Sequence, residues 1–357
     1  MSQVRRRAMM RAHEGRKHMK INWYPGHMFK ANKELAKLMQ QIDVVIEVLD
    51  ARMPAASANP MLESMRSKHH KPCVHVLNKA DLADPKATAA WINYFNSKPG
   101  SAALINGKEQ LLSVENLLWQ CQRLVGQEQR KYNAVICGIP NVGKSTLMNQ
   151  IAGRKLAKTG NEPAVTKAQQ RIKLNELWYL FDTPGVLWPK LEDQDAAHRL
   201  ACAGAIRNTA IVFEDVAFYA AEFLLRDFPD SLKHRYGMDT LPEDAEQFMT
   251  ELAGKRGCRG RYGGVDWHKV AEILLHDYRE GRLGRLTLEQ APPPIVHPVK
   301  ADSPEPDNSL EQDDSLEPTD SPERDNSLEP TDSPERDNSP EPKDSPESTD
   351  REEPPTT

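Results

Sequence analysis

Three short motifs occur in an order that strongly restricts the fold: Asn78-Lys79-Ala80-Asp81, then Gly138-Ile139-Pro140-Asn141-Val142-Gly143-Lys144-Ser145, then Asp182-Thr183-Pro184-Gly185. Each is a piece of a guanine-nucleotide pocket. In most such pockets the phosphate loop comes first in sequence and the base-reading Asn-Lys-x-Asp last, whereas here the base-reading segment lies about sixty residues upstream. The order predicts an α/β domain whose strands keep their places while the chain enters the sheet at a different point, which is a circular permutation.

The stretch from Gly138 to Ser145 matches G-x-x-x-x-G-K-[ST], in which backbone N–H groups and a helix N-terminus face phosphate oxygens. Lys144 would reach the β- and γ-phosphates, the Ser145 hydroxyl would ligate Mg²⁺, and Asn141, Val142, Gly143 and Thr146 complete the expected nucleotide-binding set. The context agrees: Ala134-Val135-Ile136-Cys137 is an apolar run of buried-strand type, and Thr146 to Ile151 begins a helical pattern. Asn78 follows the run Cys73-Val74-His75-Val76-Leu77, at the carboxyl end of a strand, where α/β folds place ligands. The Asp81 carboxylate accepts only, so it suits the ring N–H and amino group of guanine, and adenine offers no such donor pair. This argues against a P-loop ATPase or small-molecule kinase. Asn106 and Gly107 are the expected third, weaker base-contacting segment. Asp182 ends the run Leu177-Trp178-Tyr179-Leu180-Phe181 and is expected to hold Mg²⁺, with the Gly185 N–H on the γ-phosphate. Thr166 lies between the phosphate loop and Asp182, where a switch threonine closing over Mg²⁺ belongs; a plain surface-loop residue is the other reading.

With these residues the chain resembles the circularly permuted GTPases of the ribosome biogenesis GTPase A type. The likeness extends over Asn22-Trp23-Tyr24-Pro25-Gly26-His27-Met28, Val48-Leu49-Asp50-Ala51-Arg52-Met53-Pro54 with Asn59-Pro60, all the nucleotide motifs, Ala203-Gly204-Ala205-Ile206 and Gly284-Arg285-Leu286, roughly residues 20 to 290. It implies a permuted P-loop GTPase domain, a parallel sheet with helices on both faces, followed by a helical domain that binds ribosomal RNA. Late assembly of the large ribosomal subunit is the implied setting, with the subunit precursor and its rRNA as partners and GTP and GDP as ligands. It also suggests that Asn141 holds a K⁺ ion in place of an arginine finger. One position departs: Ala164 stands where the family usually has glycine before the switch threonine's neighbour.

Ras-type GTPases orient the attacking water with a glutamine just after the D-x-x-G glycine. Here that residue is Val186, followed by Leu187, so intrinsic hydrolysis should be slow. The resemblance suggests His27 as the catalytic group, brought to the γ-phosphate when the partner binds; capping of the first helix or contact with RNA are the competing roles. A passive RNA tether with nucleotide in a structural role is the alternative to a switch.

Composition divides the chain. From Ala301 onward there is no aromatic residue, and the segment SLEPTDSPERDN at 315–326 recurs identically at 327–338. Frequent proline and scarce apolar content predict a disordered tail. Residues 301–357 carry 20 acidic and 4 basic side chains, so the rest of the chain holds 43 basic and 32 acidic ones. The net charge of −5 therefore conceals a basic body suited to a polyanion such as RNA. Expected boundaries are a basic arm at 1–20, the GTPase domain at 21–190, a helical RNA-binding domain at 191–292 and the acidic tail at 293–357. The arm holds Arg5, Arg6, Arg7, Arg11, Arg16, Lys17 and Lys20 without an apolar core, which excludes a secretory signal; an organellar transit peptide stays open beside a cytoplasmic RNA-binding arm. No run of eighteen apolar residues spans a membrane, and nothing indicates an obligate oligomer. Five cysteines form no C-x-x-C pair and read as reduced core thiols.

Met28, Ala31, Leu35, Leu38, Met39 and Ile42 recur at helical spacing, predicting a first helix after His27. In the later region Asp266 is placed to cap a helix whose Ala271, Leu274, Leu275 and Tyr278 share a face, with Gly281 as the stop. Lys255, Arg256, Arg259, Arg261 and Tyr262 lie in a glycine-rich stretch between. Cations with an aromatic and flexible glycines can follow a phosphate backbone and stack a base. A solvated loop is the bland reading, and the resemblance favours RNA.

Overall fold

Six strands form one sheet: β1 (Val44–Asp50), β2 (Cys73–Asn78), β3 (Ser101–Asn106), β4 (Tyr132–Gly138), β5 (Gln170–Lys173) and β6 (Trp178–Asp182), in the spatial order β3-β2-β1-β4-β6-β5. The computed structural model describes residues 18–126, 128, 131–154, 170–260 and 263–295. Strands β3, β2, β1, β4 and β6 run parallel. The expectation of a wholly parallel sheet needs one correction: β5 is antiparallel to β6. Only four residues separate the two strands, enough for a hairpin but far short of the crossover that parallel neighbours require.

Alternation along β1 shows why its residues are apolar almost without interruption. Val44, Ile46 and Val48 pack in one cluster with Leu117 and Leu147, whereas Val45 packs with Leu35 and Leu62, and Leu49 with Trp91 and Phe95. Both faces are covered by helices, so every residue of β1 and β2 is buried. The helices concerned are α1 (Gly26–Leu38), α3 (Pro60–Lys68), α4 (Pro85–Asn96), α5 (Val114–Val125) and α6 (Lys144–Ile151), with the short α2 (Pro54–Ser57) between β1 and α3. Their starts are encoded locally. Asn59, Asp84 and Ser113 accept from backbone N–H groups of the following turn, and Pro60 and Pro85 occupy first helical positions.

The chain leaves β1 to one side, builds β2 and β3, then returns to β4 on the other side. That makes the β1–β4 boundary a topological switch point, and the crevice outside the carboxyl ends there is the favoured ligand position of such sheets. Val48 pairs with Gly138 at this boundary, so the phosphate loop leaves the sheet beside Asp50.

Helices α7 (Gln194–Cys202), α8 (Phe213–Asp227), α9 (Pro229–Tyr236), α10 (Ala245–Lys255) and α11 (Trp267–Arg279) form the second half. Asp266 caps α11 by accepting from Lys269 N at 3.2 Å, and Ala271, Leu274, Leu275 and Tyr278 are all buried. The five cysteines are buried and unpaired by disulfides. One apolar cluster runs from Val48 and Ile136 in the sheet to Leu224 and Leu274 in the helices. The two halves thus share a core rather than meeting across a wet interface. No helix among the described residues is long and apolar enough to cross a membrane.

Candidate functional site

All the nucleotide motifs emerge at carboxyl ends of strands: Asn78 ends β2, Asn106 ends β3, Gly138 ends β4 and Asp182 ends β6. Side-chain amides stitch these ends together. Leu112 N donates to Asn106 Oδ1 at 2.9 Å, Asn106 Nδ2 donates to Asn78 Oδ1 at 2.7 Å, and Asn78 Nδ2 donates to Val142 O at 2.7 Å. Because these groups are buried, leaving one unpaired costs about 1–3 kcal/mol, which locks the base-reading segment to the phosphate loop. Asp81 Oδ1 accepts from Lys108 N at 3.1 Å, so the base-reading carboxylate is oriented by the loop that follows Asn106 and Gly107. Ala80 begins the 3₁₀ turn that carries Asp81.

The phosphate loop has the backbone that its function requires. Asn141 adopts a left-handed conformation (φ 57°), and so does Gly143 (φ 101°), the residue before the first turn of α6. A Cβ on Gly143 would lie 2.2 Å from Asn78 Nδ2, so the close approach of the two motifs demands glycine there. Gly143 also offers no capping side chain, leaving the N-terminal end of α6 to be satisfied by another acceptor. Ser145 is half-buried and Thr146 exposed on that first turn.

Lys144 is 7% exposed, with Nζ 3.5 Å from Ile139 O. Burial pushes its ammonium below the usual lysine range, and the nearby Asp182 carboxylate opposes that shift. A buried cation held in this way gains from an anionic ligand. Asp182 is itself buried, and a Cβ on Gly185 would lie 3.0 Å from Lys144 Nζ. The Ser145 hydroxyl, next to Lys144 on the first turn of α6, and the Asp182 carboxylate at the end of β6 are hard oxygen donors of the kind that suits Mg²⁺. Beyond Gly185 the chain turns inward: Val186 and Leu187 are 3% and 0% exposed, and Val186 N donates to Gly138 O at 3.3 Å. Neither side chain is placed to handle water.

A charge network that the sequence did not announce supports the base-reading side. Asp50 Oδ2 accepts from Lys79 Nζ at 3.0 Å and from Arg52 Nη2 at 2.8 Å, while Arg52 Nε donates to Asp50 Oδ1 at 2.9 Å. Burial disfavours the Asp50 carboxylate, but Arg52 and Lys79 outweigh it and hold its pKa well below the usual range. Arg52 continues across to the helical half, donating to Tyr278 O at 3.1 Å and lying over the Tyr278 ring. The segment after α11 returns the same way. Leu286 N donates to Leu82 O at 3.0 Å, Leu288 N to Arg52 O at 2.7 Å, and Asp84 N to Thr287 Oγ1 at 2.9 Å. Only the Asp50-Ala51-Arg52 and Gly284-Arg285-Leu286 words stood out in the sequence, without a role; their partners lie up to 226 residues away.

His27 sits exposed in the first turn of α1, which starts at Gly26 rather than after the histidine. Asn32 on the same helix donates to Leu187 O at 3.2 Å, and Asn59 Nδ2 donates to Val186 O at 3.4 Å, so α1 and α3 both grip the backbone just beyond Gly185. Asn141 Nδ2 donates to Gly204 O at 2.8 Å, joining the phosphate loop to the Ala203-Gly204-Ala205-Ile206 segment. Lys255, Arg256 and Arg259 are exposed around a tight turn in which Gly260 N donates to Gly264 O at 2.7 Å. They lie far along the helical half and do not join the strand-end cluster. Thr166, Arg261 and Tyr262 lie outside the described residues.

Comparison with known proteins agrees with this geometry. A family profile described as "50S ribosome-binding GTPase" matches residues 133–223. The chain is 43% identical over 281 residues to the ribosome biogenesis GTPase A of Bacillus cereus, covering 76% of this chain and 94% of that protein. It is 41% identical to the Priestia megaterium protein of the same name, covering 76% and 97%. Among solved structures, the GDP-bound structure of TM YlqF superposes with a TM-score of 0.53 at 25% identity, covering 72% of this chain and 98% of that one.

Proposed function

The chain belongs to the ribosome biogenesis GTPase A family, and from that premise we propose that it is a GTP-driven switch in late assembly of the large ribosomal subunit. It is a GTP hydrolase acting in ribosome biogenesis. The Asn106–Asn78–Val142 relay supports the nucleotide part of this reading, because it ties the proposed base-reading segment to the proposed phosphate loop, and the likeness to ribosome biogenesis GTPases supports the ribosomal part.

In this reading guanine pairs with Asp81, beside Asn78, Lys79, Ala80, Asn106 and Gly107. The phosphates lie on Asn141 to Thr146 and on the Gly185 N–H, and Lys144 neutralises the β- and γ-oxygens. Ser145 and Asp182 would hold Mg²⁺, joined by Thr166, and the ion would supply charge neutralisation on the phosphates. Asn141 would offer its amide oxygen to K⁺, consistent with its nitrogen being committed to Gly204 O. Burial of Val186 and Leu187 leaves the attacking water without an orienting side chain from that segment. The family resemblance suggests His27 for this step, brought to the γ-phosphate by a motion of the start of α1, a helix that also holds the backbone beyond Gly185 through Asn32 and Leu187 O. Contact with the ribosomal particle would supply that motion.

The basic body, and Lys255, Arg256, Arg259, Arg261 and Tyr262 in particular, would bind rRNA of the precursor in the GTP form. Arg52 and the 286–288 return segment link the base-reading side to the helical half, which offers the route by which nucleotide state reaches the RNA surface. The setting is the cytoplasm. GTP turnover measured with and without purified large subunits tests this function: a switch is stimulated, and a passive tether turns over at one rate in both.

A further inference from the structure

A second cluster of ionisable groups lies away from the nucleotide motifs, where the chain first enters the described structure. His18, His198 on α7, and Asp215 and Glu222 on α8 meet there. Asp215, Tyr219 and Glu222 recur at helical spacing and so share one face of α8, and His198 stands one turn after Gln194 on α7. His18 Nδ1 is 3.1 Å from Asp215 Oδ1, and His18 Nε2 is 2.8 Å from Glu222 Oε2. Met19 N donates to Asp215 Oδ2 at 3.0 Å.

The decisive atom is His198 Nε2. His198 Nδ1 lies 2.7 Å from Gln194 O, an acceptor only, so Nδ1 carries a proton and Nε2 is the nitrogen left to meet Asp215. That residue is 2% exposed, and Nε2 is buried without a hydrogen-bond partner, pointing toward Asp215 Oδ2 at 3.8 Å. A bare lone pair facing a carboxylate oxygen is unfavourable, and either a proton or a metal ion between the two relieves it.

We propose that His18 Nδ1, His198 Nε2 and the Asp215 carboxylate form a binding site for a divalent transition metal of the Zn²⁺ class. Tetrahedral N and O ligands about 2.0–2.1 Å from zinc stand roughly 3.4 Å apart; the two imidazole nitrogens lie 3.1 and 3.8 Å from Asp215, and all three ligand atoms fall within 4.8 Å of one another. Each imidazole already has the outer partner that metal-bound histidines usually have: Glu222 on His18 and the Gln194 carbonyl on His198. Two imidazoles with one carboxylate favour a borderline ion over Mg²⁺, so this site is chemically distinct from the phosphate-side cation. Glu222 and the edge of Asp215 are open to solvent, which gives entry and room for a water as fourth ligand. A bound ion would pin His18, the root of the basic arm, to α7 and α8.

The test uses the full-length chain freed of metal, titrated with Zn²⁺ by calorimetry and with Co²⁺ by visible absorption. Wild type and the exposed-histidine control His234→Ala should each take up a high-affinity ion with the absorption bands of tetrahedral Co²⁺. His18→Ala and His198→Ala should lose that ion or bind it at least about tenfold more weakly. Zn²⁺ should also raise the Tm of wild type and leave that of His18→Ala unchanged. His18 lies at the edge of the fold, so its variants keep the test meaningful if His198→Ala is unstable. Equal stoichiometry and affinity in wild type and His18→Ala, or no tetrahedral Co²⁺ signal in wild type, would overturn the assignment and leave a protonated His198 as the cation facing Asp215.

Discussion

Asn78 Nδ2 donates to Val142 O at 2.7 Å, across 64 residues of sequence, and through this bond the base-reading motif is fastened to the phosphate loop. The permuted chain therefore reaches the same mutual placement of motifs that an unpermuted one would, because strand ends and not sequence order decide where the loops meet.

Removing that bond should damage both functions of the pocket together. In Asn78→Ala the Val142 carbonyl and the Asn106 amide lose their partners, at about 1–3 kcal/mol. GTP and GDP affinities should fall in parallel, and chemical unfolding should show lower stability of the nucleotide-free chain. A loss of GTP affinity with GDP affinity unchanged would mean that Asn78 acts on the γ-phosphate instead.

In the proposed function, base selectivity rests on Asp81. Asp81→Asn replaces one acceptor by a donor that faces the guanine N–H groups, and rejection by an unpaired buried polar group reaches on the order of 10⁴. Calorimetric titration should show GTP binding reduced by orders of magnitude and xanthosine triphosphate binding increased. Unchanged GTP affinity would reduce Asn78 to Asp81 to an ordinary turn.

Arg52 is a buried charge shared between Asp50 and the Tyr278 carbonyl. Arg52→Ala leaves the buried Asp50 carboxylate with Lys79 as its one remaining cation among the described residues and takes the donor from Tyr278 O, so it should cost about 3 kcal/mol in urea unfolding. The pH dependence has a definite sign. The folded pKa of Asp50 lies below the unfolded value of about 3.9, so its contribution is complete above that value and lost as pH falls below it. Asp50→Asn should therefore be less stable than wild type at neutral pH, with the gap narrowing on acidification.

Residues 301–357 carry a net charge of about −16, of the same sign as RNA phosphates, so they are expected to oppose RNA binding by the basic body. Deleting them should tighten RNA binding at low salt, with the difference shrinking as salt screens the competition. Equal affinities across a salt series would leave the tail a solubilising role.

Sequence reading reached those parts of the site whose chemistry is local. The phosphate loop, the Asp81 motif and Asp182 each announce themselves within a few residues and beside an apolar strand. Charge networks do not. Asp50, Arg52 and Lys79 look like surface residues in sequence, and only the fold shows that Asp50 and Arg52 are buried, with Lys79 half-buried against them. His18 and Asp215 are 197 residues apart, and no spacing rule connects them. The antiparallel β5 escaped for a related reason: Gln170-Arg171-Ile172-Lys173 holds a single apolar residue, too little pattern to read as a strand, and its place at the sheet edge makes that composition tolerable.

In the proposed function, the ribosomal particle completes an active site in which Val186 and Leu187 face the core and His27 stands exposed on α1. Single-turnover GTP hydrolysis by wild type and His27→Ala, each with and without purified large subunits, tests it most directly. Expected are slow turnover alone for both, strong stimulation of wild type, and loss of most of that stimulation in His27→Ala with GTP affinity retained. Equal stimulation of the two proteins would contradict the role of His27, and no stimulation of wild type would contradict the switch itself.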